Sequence, residues 1–568
     1  MPLSQEHCQL IHSPDAIDFV IRQSDPFLSY AQTHANICIA QILSGGYLLC
    51  YIHRDDIELL ATVLGSSLAT SVSIVLGPLS GPPLDASGIT QTHKQPYLDL
   101  KGQNVLVGII DTGIDYTLPV FLRPDGSSKI QFLFDQTAPG PSPEPFVFGS
   151  EYTNQQINTA LQSPNPYATV PQRDESGHGT FIASVAAGSE VDGFIGAAPE
   201  ADLIVVKLDR AKAFYYDTYL ISPEQKNAFS SSYVMAGVEY IMQKAHQLGR
   251  PVSICIGLGS NFGGHDGYSV FEEYLNGISS QKGVCMCVAG GNESLARHHL
   301  QGQLTQPGQT QNVALRIGDN GVNLYISIWN SIADRISISV RSPSGELVGR
   351  VPARLGPPVV TKLVLESSSV SVRYFFPLDA NGAQLTVVRI TDATPGIWSI
   401  LVHGDIVLDG QFNCWLPLSG FVSGTVEFLS ATPYCTVTVP GTMLNAICCG
   451  AYNSYTNSLY MNSSWGPTRA PMMAPDLVAP GETIRGHYPD GTGVMNGSSV
   501  AAAITAGACA LLLQWGLVEG NDPSMSTYQI RAYLIRGCSR STVMEYPNPQ
   551  WGYGKLELLQ TFHYMRTL

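Results

Sequence analysis

An α/β fold built on a doubly wound parallel sheet is what this sequence predicts, and three observations predict it. Four continuous apolar runs, Val105–Ile110, Leu203–Leu208, Val252–Ile256 and Val284–Ala289, have the unbroken hydrophobicity of parallel strands covered on both faces. A helical stretch, Tyr233–Leu248, lies between the second and third runs, with Gly249 placed to stop it. The run Val500–Leu513 carries almost no charge, so it reads as a helix apolar all round and buried at the centre of the molecule.

Composition agrees with well-filled cores. The 568 residues are 44% hydrophobic and 13% charged, which suits two to four globular domains and argues against disorder. The formal net charge of -15 argues against nucleic acid as a partner, because phosphate binding needs a basic footprint. The N-terminus lacks a basic region followed by an apolar core, so no signal peptide is expected and synthesis in the cytoplasm is. No unbroken apolar stretch of about eighteen residues appears, and no membrane span is expected. The twelve cysteines lie largely in strand-like apolar runs and read as buried small hydrophobes rather than a disulfide framework. With no CxxC pair, no metal site and no cofactor is expected.

Four segments follow in order. Residues 1–85 read as a small N-terminal α/β module with a linker. Its expected elements are a helix over Phe27–Leu43, a strand over Tyr47–Ile52, a helix over Asp55–Leu64 and a strand over Val72–Leu76. Gly77–Pro83 then breaks all periodicity. Such a module is either an accessory domain or a propeptide removed by cleavage. Residues 86–299 hold the first part of the α/β unit. Residues 300–432 change texture: short alternating runs such as Val322–Trp329, Val370–Phe376 and Gln384–Ile390 are separated by turn signals, with no helical pattern. They read as an inserted all-β sandwich of jelly-roll type. Residues 433–568 resume the first pattern through Val437–Thr442 and Ala446–Ala451, and end in a helix near Tyr528–Gly537.

Three polar positions stand out against this apolar frame. Asp111 closes the run Val105–Ile110, where a carboxyl end of a parallel strand gathers functional groups. His178 opens a small-residue helix after Ser176-Gly177, and Ser499 opens the apolar helix after Gly497-Ser498. A serine hydroxyl is a poor nucleophile unless a base lies within hydrogen-bond reach, and that base needs a carboxylate to fix its tautomer. The N-terminus of a buried helix also supplies unpaired N–H groups for an oxyanion. Asp174 and Glu175, just before His178, read either as an exposed charged loop or as negative charge beside a cleft.

The order Asp111-Thr112-Gly113, His178-Gly179-Thr180 and Gly497-Ser498-Ser499-Val500-Ala501 resembles the subtilisin-like serine proteases, the subtilases. The resemblance covers roughly 95–300 and 433–557. It implies a triad of Asp111, His178 and Ser499, with Asn292 of Val288-Ala289-Gly290-Gly291-Asn292 as the oxyanion-hole side chain. It further implies that Gly257, Leu258 and Gly259 pair with an extended peptide substrate. Ala503 stands where the family usually has Pro, and Ser498 where it commonly has Thr. The β insert, the short N-terminal module and Trp551-Gly552-Tyr553-Gly554 look like the Csp germination proteases of spore-forming clostridia. That group implies a prodomain cut autocatalytically near Gly77–Pro83 that stays bound, a spore location, and activation of a spore-cortex hydrolase zymogen. It also implies other Csp-type proteins as partners. Two alternatives stay open: a silent scaffold in germination signalling, and a general degradative protease.

Overall fold

The computed structural model describes residues 9–33, 36–78, 85–319, 321–378 and 381–565. Its centre is a nine-stranded sheet. Its strands are β1 (Leu106–Asp111), β2 (Ile130–Asp135), β3 (Ser150–Thr153), β4 (Asp202–Lys207), β5 (Val252–Ile256), β6 (Val284–Ala289), β7 (Ile447–Asn453), β8 (Ser458–Leu459) and β9 (Leu477–Pro480). The order is β8-β7-β6-β5-β1-β4-β2-β3, with β9 also on β7. Pairing is parallel except at β2–β3 and β7–β8.

Every residue of β1, β4, β5 and β6 is buried, as unbroken hydrophobic runs require. Alternate side chains point to opposite faces. Val107 and Ile109 of β1 face helices α1 (His178–Ala187) and α3 (Ser498–Leu513), while Leu106 and Ile110 face α2 (Ser231–Leu248). Helix α3 is buried along its whole length and packs on β5, β6, β7 and α1. With its continuation to Val518 it is long and apolar enough to cross a membrane, yet 89% of its most apolar 18-residue window is buried inside the protein. Gly249, at φ 64°, stops α2 in the left-handed conformation its position predicts.

The residues from His299 to Phe428 form two antiparallel sheets, one of six strands and one of five, face to face. Their inner faces bury Leu324, Ile326, Val372, Tyr374, Val388 and Trp398 in a core of their own. The outer face of the six-stranded sheet is apolar too. Tyr325, Trp329, Leu385, Val387 and Trp415 join the cluster that contains α2 and the N-terminal unit.

The N-terminal unit is a three-stranded antiparallel sheet, Ala16–Arg22, Tyr47–His53 and Ile37–Leu43 in spatial order, backed by Asp25–Thr33 and Ile57–Leu64. The expected helix over Phe27–Leu43 is therefore wrong in its second half. The helix is described to Thr33, and Ile37–Leu43 pairs with Tyr47–His53 in a hairpin. Ser44, Gly45 and Gly46 make the three-residue loop between paired Leu43 and Tyr47, with Gly45 and Gly46 at φ 75° and 77° in the left-handed region. Cys38 in this hairpin is disulfide-bonded, unlike the ten cysteines that are free and buried. Val437–Thr442 is also not a strand: Val439 makes a single bridge to Ser260, and Pro440 cannot donate to a ladder. The strand expected over Val72–Leu76 lies at Val75–Pro78. Residues 79–84 of the expected linker lie outside those described.

Candidate active site

Asp111, Gly257 and Asn292 all sit at or just beyond carboxyl ends of parallel strands, of β1, β5 and β6 respectively. His178 and Ser499 open α1 and α3 from the same rim. Asp111 Oδ1 lies 2.7 Å from His178 Nδ1 and also accepts the Thr112 N–H at 2.7 Å. Both partners are almost fully buried, at 0% and 5% exposure, so solvent screens their interaction little. With Nδ1 facing a carboxylate, the tautomer that leaves Nε2 to accept a proton is favoured.

Ser499 is wholly buried and its Oγ donates to Gly257 O at 2.9 Å. Gly257 is where the three groups converge. A Cβ on it would stand 3.2 Å from Ser499 Cβ, 3.5 Å from Asp111 Oδ2 and 3.5 Å from His178 Cε1. A Cβ at 257 would crowd Ser499 and reach ordinary contact with Asp111 and His178, which gives the glycine a packing reason beyond backbone freedom.

Ser498 fastens the loop after β6 to the start of α3. Its N–H donates to Asn292 Oδ1 at 3.0 Å, and its Oγ accepts the Gly291 N–H at 3.0 Å. With Oδ1 engaged, the Asn292 amide nitrogen is the end left to donate. The Ser499 N–H belongs to the first turn of α3, whose donors have no intrahelical acceptor. The sequence credits Ser498 only with a hydroxyl; its two hydrogen bonds, to Gly291 and Asn292, depend on the fold.

Asp174 is neither an exposed loop residue nor a free charge in a cleft. It is 5% exposed and gathers the N–H groups of Ser176, Gly177 and Thr180 together with the hydroxyls of Thr112 and Thr180. A carboxylate receiving helix-start donors stabilises the N-terminus of α1 and so holds His178 in place. Thr112 Oγ1 in turn accepts the Gly179 N–H at 2.9 Å, tying α1 to the end of β1. Glu175 is the exposed member of the pair and lies 3.6 Å from Lys207 Nζ.

Beyond Gly257, Leu258–Gly259 pairs antiparallel with Val75–Pro78, Pro78 opposite Leu258 and Gly77 opposite Gly259. On its other side Val75–Leu76 pairs with Phe229–Ser230. An extended segment of the chain itself thus lies as the middle strand of three, leading toward Ser499.

Among the described residues, the Cys285, Cys287 and Cys509 sulfurs lie within 4.8 Å of one another, wholly buried between β6 and α3. Burial pushes the Cys287 and Cys509 thiols up, while against the same burial their hydrogen bonds draw Cys285 down to about 6. The three thiols form a buried, hydrogen-bonded cluster.

The model of the subtilase family, peptidase S8, matches residues 102–333 and 430–554, the two parts of the α/β unit on either side of most of the sandwich. The chain belongs to the subtilase family. The structure of the CspB protease of Clostridium perfringens is similar, at 30% identity over 85% of this chain and 98% of that one, with a TM-score of 0.76. The epidermin leader peptide processing serine protease EpiP of Staphylococcus aureus aligns with 97% of this chain and 99% of its own, at 12% identity and a TM-score of 0.44. No curated protein matches the chain. This subtilase is a serine endopeptidase, and its substrates are peptides or proteins.

Proposed function

We propose that this subtilase cuts peptide bonds with Ser499 as nucleophile, His178 as general base and then acid, and Asp111 as the group that orients His178. The convergence of the three on Gly257, with the 2.7 Å contact from Asp111 to His178, is the observation that carries this reading. A turn about the Ser499 Cα–Cβ bond moves the hydroxyl from Gly257 O toward His178. As Oγ attacks the scissile carbonyl its proton passes to Nε2, and the oxyanion is held by Asn292 Nδ2 and the Ser499 N–H. His178 gives the proton to the leaving amine, and water then releases the acyl group by the same steps.

The N-terminal unit acts in this reading as a prodomain that the enzyme removes from itself. Support comes from Val75–Pro78, which occupies the strand position a substrate would take beside Leu258–Gly259. Pro78 is opposite Leu258, and the next residue toward Ser499 is Gly257. Counting one residue on from Pro78, we propose Leu79–Ser80 as the bond cut; both residues lie outside those described. Intact mass of the wild-type protein beside Ser499→Ala tests this. Residues 1–79 should separate from the remainder in wild type, while the variant stays whole. Cleavage of both proteins sinks self-processing.

The similarity to CspB, at 30% identity over 85% of the chain, supports a role in spore germination, with a spore-cortex hydrolase zymogen as the protein substrate and other Csp-type proteins as partners. Incubating that zymogen with processed enzyme checks the role: an N-terminal cut absent with Ser499→Ala is expected. A second reading, a scaffold held silent, draws on the same occupied cleft. Failure of processed protein to take up a fluorophosphonate at Ser499 would favour it.

A further inference from the structure

A cavity of about 280 Å³ lies where three parts of the chain meet. The N-terminal unit contributes Leu68 and Val72, the protease helix Ala213–Tyr219 contributes Phe214, and the outer face of the sandwich contributes Phe375, Leu385 and Val387. These walls are apolar. Into the same cavity the sandwich also brings Arg373 and Arg389.

The two arginines stand on neighbouring antiparallel strands, Ser369–Phe375 and Gln384–Ala393. Arg373 is opposite Val387 and Arg389 opposite Ser371, so the cations are diagonal neighbours on one face. Like charges so placed repel unless something lies between them. Arg389 Nη2 donates to the Asp217 carbonyl at 2.6 Å, and Arg373 lies 5.0 Å over the Phe375 ring. Each keeps a buried Nε–H with no hydrogen-bond partner. Glu58, solvent-exposed, is the single acid among the lining residues, which leaves a cationic excess in a chain whose net charge is -15. Burial draws both guanidinium groups below their ordinary pKa. Unpaired donors and charge in an apolar recess are costly, and a carboxylate would satisfy them in the planar geometry that guanidinium groups favour.

We propose that this cavity binds a small amphipathic anion, a carboxylate on an apolar body, with its charge between Arg373 and Arg389 and its body among Leu68, Val72 and Phe214. The volume is just below the usual range of about 300–1,000 Å³ for ligand pockets, which fits a medium-chain carboxylate rather than a larger lipid. Because its walls come from three parts, the site is complete only while the N-terminal unit is docked. By linkage the ligand strengthens that docking.

Calorimetric titration of the full-length protein with decanoate, below its micelle-forming concentration, tests the site. Saturable binding at one site per chain is expected, with 1-decanol and decyltrimethylammonium weaker by about tenfold or more. Arg373→Gln with Arg389→Gln should weaken decanoate by about tenfold or more while leaving 1-decanol unchanged. Val72→Trp, which fills the recess and keeps both cations, should abolish decanoate binding and guards against a double variant that fails to fold. No saturable binding to wild type, equal binding of decanoate and 1-decanol, or undiminished decanoate binding by either variant overturns the proposal.

Discussion

The parallel sheet and the inserted sandwich bury apolar surface in opposite ways. Each central parallel strand is covered on both faces, so no solvent face remains and polar groups can emerge only beyond the strand ends. Asp111, Gly257 and Asn292 lie there. The strands of the sandwich alternate, and its inner face has its own core. Yet the outer face of its six-stranded sheet is not a water face: Tyr325, Trp329 and Trp415 join the cluster holding α2 and the N-terminal unit. Trp415 there is stacked between His265 of the protease and His299, at ring separations of 4.2 and 4.7 Å. One region gathers polar groups at its rim; the other packs apolar surface on both of its faces.

If that division is right, substitutions at the rim should cost rate and leave stability alone. The largest effect is expected for His178→Ala, with kcat/KM on a peptide substrate falling about 10⁴-fold and the thermal midpoint unchanged. Activity near wild type would break the comparison at its strongest point. Gly257→Ala should come next. Its Cβ would sit 3.2 Å from Ser499 Cβ, so kcat should drop about 100-fold from misplacement of the nucleophile. A loss carried by KM instead would place the fault in peptide pairing.

In the sandwich the pattern reverses. Trp415→Ala should cost about 3–5 kcal/mol of stability, read by denaturant unfolding, while kcat of the folded fraction stays near wild type. A loss of rate without a loss of stability would mean that the sandwich takes part in the chemistry.

The smallest effect concerns Glu272, whose carboxyl is wholly buried and held by Ser269 and Thr442. Burial pushes its pKa up to about 7 from 4.5. A carboxyl with a higher pKa when folded takes up a proton on folding. Its contribution is therefore fully present below about 4.5 and is lost as pH rises through about 7. The thermal midpoint should fall across that window, and Glu272→Gln should flatten the fall. An unchanged slope in the variant would assign the pH dependence to another group.

The parallel strands and α3 were legible because burial on both faces writes itself as unbroken hydrophobicity. Asp111, His178, Ser499 and Asn292 stand out in the sequence because each lies in a glycine-marked turn at an element end. The supports of those residues do not. Asp174 reads as a charge in a polar loop until the fold brings Thr112 and Thr180 to it, and Ser498 reads as a neighbour of Ser499 until β6 arrives beside α3. In the N-terminal unit, Ile37–Leu43 follows closely on a helix and continues its apolar character, so only Gly45-Gly46 marks the hairpin in the sequence. The outer face of the sandwich was hidden for a different reason: alternation reveals two faces but not what each face meets.

The strand Val75–Pro78 has a consequence for how the enzyme would behave toward other peptides. It is joined by a few residues to the domain whose Leu258–Gly259 it pairs with, so the two meet as an intramolecular pair rather than as solutes. Covalent linkage through a short stretch of chain gives effective concentrations on the order of millimolar. A free peptide with micromolar affinity for the same strand position would then need to approach millimolar levels to displace it. Cutting the tether turns that fixed concentration into an ordinary dissociation equilibrium, one that dilution shifts toward the open cleft.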